Sequence, residues 1–113
     1  MPYDVRKSVW DAAEACRKIQ EYTAEHTLET YRQNSRDIHA VERNLGILGE
    51  AFNRIDNADP SFRNRLPEMG EIIGMRNRLI HGYDVVNDVV VWRTVKENIP
   101  LLMAKLDAWL NEQ

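Results

Sequence analysis

The sequence predicts an all-α protein, an antiparallel bundle of four main helices with one short additional helix. Three observations carry that expectation. Apolar residues recur at alternating spacings of three and four, caps and breakers fall between those runs, and strand signals are nearly absent. Val89-Val90-Val91 is the one strand candidate, and the helical period around it outweighs it.

The first run, Val5, Val9, Ala12, Cys16, Ile19 and Thr23, leaves Arg6, Lys7, Glu14 and Lys18 on other faces. It describes an amphipathic helix of about five turns ending near His26. Thr27 is placed to cap a short helix over Leu28–Arg32, because its side-chain oxygen can accept from an unpaired N–H of the first turn. Asn34 or Ser35 is placed to cap the next helix in the same way. There Ile38, Val41, Leu45, Leu48, Phe52 and Ile55 form an unbroken apolar stripe of the kind helices use to pack lengthwise.

Asn57-Ala58-Asp59-Pro60, closed by Pro67, reads as a connecting loop with one irregular turn, and it holds Arg63 and Arg65. A fourth helix runs from about Glu68 to Leu79 or Ile80. Gly82 is placed to end it in the left-handed conformation that glycine adopts without steric cost. Asp84 to Asp88 is a turn. Trp92, Val95, Ile99, Leu102, Leu106 and Trp109 mark a last helix, which Pro100 should kink.

At 113 residues, 43% hydrophobic and 29% charged, the composition fits one domain over 1–113 with a small core. The single cysteine, Cys16, excludes an internal disulfide and lies in the first apolar stripe, a core position rather than a nucleophile's. Met1-Pro2-Tyr3-Asp4 lacks the runs of a secretory signal, and no apolar stretch nears the roughly 18 residues that cross a bilayer, so a cytoplasmic protein without membrane contact is expected. A net charge of -3 argues against broad electrostatic capture of nucleic acid, so any RNA contact must be local. His26, His39 and His81 are scattered without zinc spacing, and Gly70 and Gly74 lack a Gly-Lys-Ser/Thr ending. No metal or cofactor is expected.

The third helix has a second face. Gly46 and Gly49, with Glu42, Glu50 and Asn53, lie roughly opposite the apolar stripe. A glycine inside a helix costs about 1 kcal/mol relative to alanine. Either another helix approaches closely there, in the same chain or a second copy, or the helix tolerates a weak stretch.

Arg76-Asn77-Arg78-Leu79-Ile80-His81, followed by Gly82-Tyr83, concentrates reactive side chains at the end of the fourth helix. Imidazole suits proton transfer near neutral pH, and guanidinium is a fork for phosphate, so the combination points to phosphodiester chemistry. Met69, Ile72, Ile73, Leu79 and Ile80 define an apolar face, and Arg76 falls within it. On that fact alone, the arginine could simply pack its stem and pair its head with a carboxylate such as Glu50. Asn77 and His81 are i,i+4 neighbours. Arg76 lies about 140° from His81 around a continuous helix, so the two converge only if the helix ends near Ile80.

The pattern Arg76-x-x-x-x-His81-x-Tyr83 resembles the signature of the HEPN superfamily, specifically its HepT branch of toxins paired with a minimal nucleotidyltransferase antitoxin. Arg43 to Ala51, Ile72 to Tyr83, and the tryptophan-bearing last helix with Ile99-Pro100 extend the resemblance over nearly the whole chain. Pro67-Glu68-Met69-Gly70 departs from it, standing where that branch has a tryptophan-containing turn.

The resemblance implies a HEPN-like bundle and a ribonuclease that cuts RNA without a metal at a site shared across a homodimer. Arg76 and His81 would be catalytic. Asn77 and Arg78 would support the site or bind RNA, and Arg63 and Arg65 could add local positive field. Tyr83 would accept AMP from ATP through the nucleotidyltransferase antitoxin, silencing the toxin; its bland reading is an aromatic closing the helix end. The competing function is a non-catalytic helical partner that presents substrate or nucleotide to a nucleotidyltransferase.

Overall fold

Alternating three-four apolar spacing becomes helix throughout the computed structural model, which describes residues 5–81 and 87–113, with His81 described by its backbone alone. The described residues form α1 (Val5–Thr23), α2 (Leu28–Arg32), α3 (Ser35–Ala58), α4 (Met69–His81), α5 (Asp88–Glu97) and α6 (Ile99–Glu112), with a 3-10 turn over Pro60–Asn64. The architecture is all-α, as the apolar period requires.

Each boundary has a local cause. Thr27 Oγ1 accepts from Thr30 N–H at 3.2 Å while Thr30 Oγ1 accepts from Thr27 N–H at 2.9 Å, a reciprocal cap on α2. Asn34, rather than Ser35, caps α3, its Oδ1 accepting from Asp37 N–H at 3.0 Å. α1 closes at Thr23, short of His26. Thr23 Oγ1 donates back to the Ile19 carbonyl at 2.9 Å, and His26 N–H donates to the Thr23 carbonyl at 3.1 Å, so the last turn tightens before His26.

The last helix differs from expectation. It is two helices, not one kinked helix. Asn98 N–H closes α5 on the Thr94 carbonyl at 2.9 Å, and the Asn98 carbonyl accepts from Leu102 N–H at 2.9 Å to open α6. Pro100 thus sits in a first turn, where its missing N–H has no intrahelical partner to lose. Val89, Val90 and Val91 are helical, in α5.

α1 and α3 form the central antiparallel pair, with α4 packed on α3 and α6 on α1. Arg54, late on α3, reaches Ser8 (3.4 Å) and Asp11 (3.8 Å) on α1. His26, just past α1, bonds Asp37 at the start of α3 through Nε2 at 2.7 Å, and this contact holds the Asp37 carboxyl below its ordinary range. Between the helices lies one cluster of buried side chains. It includes Val9, Cys16 and Ile19 of α1, Leu45, Leu48 and Phe52 of α3, Ile72 and Met75 of α4, and Leu102 and Leu106 of α6. Cys16 is wholly buried in it, and burial pushes its thiol up to about 12. No helix among the described residues is long and apolar enough to cross a membrane.

Candidate functional site

α3 and α4 meet over a single glycine. A Cβ built on Gly49 would lie 2.4 Å from Cβ and 2.8 Å from Cγ of Arg76, so only glycine leaves room for the arginine stem. The close approach allowed for at this position is therefore real, and its partner is a helix of the same chain. Gly49 is buried beside the core stripe rather than opposite it. Gly46, one turn earlier, is different: nothing among the described residues lies within 4 Å of an added Cβ.

Arg76 lies against that contact with its side chain 23% exposed. Nη2 donates to Glu50 Oε2 at 2.6 Å, and Nη1 donates to Asn77 Oδ1 at 3.1 Å. Its Nε is buried and has no hydrogen-bond partner among the described residues. The carboxylate named from the sequence as a packing partner is thus the one observed. Glu50 engages one edge nitrogen of the guanidinium and leaves the Nε donor unused.

The arginine head also opens onto a groove of about 410 Å³. Arg43, Gly46, Ile47, Glu50 and Arg54 of α3 line it with Arg76 and Ile80 of α4. The spacing of Arg43, Ile47, Glu50 and Arg54 is four, three, four, which places them in one narrow stripe roughly opposite the core stripe of α3. Glu50 is shared: its Oε1 lies 3.7 Å from Arg54 Nη1. Two guanidinium groups thus flank one carboxylate, and a third, that of Arg43, belongs to the same groove in an otherwise acidic chain. Ile47 and Ile80 stand exposed on the same groove, 41% and 57%.

The other expected residues are placed less uniformly. Asn77 is exposed and bonds Arg76; Arg78 is exposed and makes no ion pair found among the described residues. Arg63 and Arg65 do not serve this groove. Arg63 is held by Asp56 at 2.7 and 3.1 Å, and Arg65 by Glu112 at 3.0 Å beside a separate cavity lined by Phe62 and Trp109. Their place is taken by Arg43 and Arg54, which the sequence reading passed over as site residues. Heptad spacing on the polar face of α3 was the available signal.

α4 continues through His81 instead of stopping at Leu79 or Ile80. The helix end on which convergence of Arg76 and His81 within one chain depends therefore does not fall at Leu79 or Ile80. The side chain of His81, Gly82 as the expected helix terminator, Tyr83, and the expected turn up to residue 86 lie outside the described residues.

A flank-facing arginine, seated in a helix seam and opening on a cationic groove, defines a helical bundle with a polar surface site. The description "Ribonuclease HepT-like" belongs to a family model that matches residues 12–108, and the chain belongs to that family. It is similar to "Probable ribonuclease HepT" of Thermococcus cleftensis, 40% identical over 99 residues covering 86% of this chain and 87% of the relative. It is also similar to two proteins of Methanocaldococcus jannaschii. "Putative RNase MJ1380" is 31% identical, with 92% of this chain and 94% of the relative covered. "Putative RNase MJ1216" is 32% identical, with 86% and 79% covered. No solved structure matches the chain significantly.

Proposed function

We propose that this protein is a metal-independent endoribonuclease, the toxin of a toxin–antitoxin pair, acting in the cytoplasm at a composite homodimer site. The observation that carries this reading is Arg76: a guanidinium presented to an open cationic groove, with an unused donor, in a chain of the ribonuclease HepT-like family. Several relatives bear ribonuclease names.

In the reaction, the 2′-oxygen of RNA loses its proton and attacks the adjacent phosphorus. The P–O5′ bond breaks, a 2′,3′-cyclic phosphate forms, and the departing 5′-oxygen gains a proton. Arg76 stabilises charge on the non-bridging oxygens, and His81 carries protons. Asn77 and Arg78 hold the imidazole or the RNA. One chain offers one suitable histidine where the reaction has two proton transfers, so a twofold partner supplies the complement.

Incubated with total RNA in excess EDTA, the purified protein is expected to yield fragments ending in 2′,3′-cyclic phosphate. A strict magnesium requirement would overturn this mechanism. The second reading, a non-catalytic partner that presents substrate or nucleotide to a nucleotidyltransferase, is favoured by one observation: Glu50 already satisfies part of Arg76. His81 separates the two, since a binding module has little use for an imidazole.

Regulation by a minimal nucleotidyltransferase antitoxin completes the proposal. Tyr83 oxygen attacks the α-phosphorus of ATP, releasing pyrophosphate and leaving AMP on the ring, which adds charge and bulk next to the RNA site. With the partner and ATP, peptide mass spectrometry is expected to map AMP to Tyr83. Tyr83→Phe should block the addition while keeping most ribonuclease activity. Modification found elsewhere, or unchanged in Tyr83→Phe, removes Tyr83 from this role.

A further inference from the structure

We infer that the stripe of α3 carries a second phosphate site next to Arg76: Arg54, supported by Arg43 further along the groove, binds backbone phosphates of single-stranded RNA beside the one Arg76 engages, and Glu50 holds their place until RNA arrives. The inference rests on the ribonuclease reading of Arg76 and extends it to residues outside the Arg-His motif.

Four observations lead there. Glu50 is placed as an oxyanion between two cations, with Oε2 2.6 Å from Arg76 Nη2 and Oε1 3.7 Å from Arg54 Nη1. Its side chain is 45% exposed, so an incoming strand can reach and displace it. Arg54 is weakly committed: its contacts with Ser8, Asp11 and Glu50 run from 3.4 to 3.8 Å, and Arg43 makes no ion pair found among the described residues. Finally, Glu50 engages only Nη2 of Arg76 and leaves the buried Nε unpaired, so a phosphate that displaces Glu50 takes over Nη2 and gains the Nε–Nη fork once Nε is uncovered.

The geometry is that of a track rather than a point. Arg43 and Arg54 are eleven residues apart, about 16 Å along the helix, so a strand in the groove meets more than one cation. Arg43, Arg54 and Arg76 against Glu50 and the Asp11 beside Arg54 leave a formal local charge of +1 (three minus two) in a chain whose net charge is -3. This local excess supplies the electrostatic contact that the overall composition withholds. It favours a polyanion backbone over an acidic protein segment, because forked guanidiniums match phosphate and the groove is long and open.

The test uses the full chain in EDTA and a 2′-deoxy single strand of about eight nucleotides, which binds but lacks the attacking hydroxyl. Arg54→Ala should make the slope of log affinity against log salt shallower by about 0.7, and Arg54→Lys should restore it, since lysine keeps the charge. Glu50→Gln should bind roughly two- to fivefold tighter. An unchanged slope in Arg54→Ala, or weaker binding in Glu50→Gln, overturns the inference. Cleavage of RNA is followed separately. Wild-type cleavage without these binding shifts removes the track and leaves the nuclease. The binding shifts without any cleavage leave the track and remove the nuclease. No binding and no cleavage removes both.

Discussion

Arg76→Ala is expected to lower RNA cleavage by roughly 10²–10³-fold or more, the usual cost of losing one preorganised donor to a developing oxyanion. The fold should survive. Arg76 pairs with a half-exposed carboxylate, and such pairs contribute only about 0–1 kcal/mol. Arg76→Lys should be nearly as damaging, because an ammonium cannot reproduce a fork. His81→Ala removes the proton carrier, a further roughly 10²–10⁴-fold effect. Growth inhibition on expression should disappear with either variant.

A mixing experiment adds the oligomeric test. Heterodimers of Arg76→Ala and His81→Ala contain one site with both groups intact if the site draws on two chains, so mixing should restore part of the activity. Full activity in His81→Ala alone would sink the catalytic assignment.

The second large effect is expected at Gly49. An alanine there places its Cβ 2.4 Å from Arg76 Cβ, and both atoms are fixed directly to backbone. Neither can swing aside, so α3 and α4 must part by about an ångström or more. Overpacking of this kind costs about 1–3 kcal/mol, which exceeds the gain of up to about 1 kcal/mol from replacing a helical glycine. The displaced arginine should cost more than the fold does, since a shift of about 1 Å in a reacting group can cost on the order of 10² in rate. Gly46→Ala is the control. With nothing among the described residues within 4 Å of the new methyl, the isolated chain should gain up to about 1 kcal/mol. Thermal denaturation and cleavage rates of both variants check this; equal behaviour at the two glycines would refute the packing argument.

The residue pattern exposes some features of this molecule and not others. The stripes of α1 and α3 were legible because every turn repeats the same burial requirement, and Thr27 and Asn34 because a cap acts over only three residues. The split between α5 and α6 was not, since proline serves equally as a kink or as a first-turn residue and only packing decides. Glu50 could be named as a partner of Arg76 from the need to neutralise a packed charge. Arg63 and Arg65 were misplaced for a related reason: Asp56 lies seven residues before Arg63, but Glu112 is 47 residues beyond Arg65, so tertiary placement decides where those charges go. The end of α4 was not legible either: the apolar period runs out at Ile80, and the helix continues through His81.

The buried thiol of α1 gives the molecule a built-in clock. With Cys16 at 0% exposure and its thiol pushed up to about 12, a native molecule presents neither access nor thiolate to an alkylating reagent at neutral pH. Labelling therefore proceeds only through molecules that have opened around the central helix pair. Because no second cysteine competes, the alkylation rate follows the opened population alone, and at saturating reagent it follows the opening rate. The effect of any substitution in the α3–α4 seam on the lifetime of the fold can thus be timed by mass, in dilute samples or crude extract, separately from its effect on RNA.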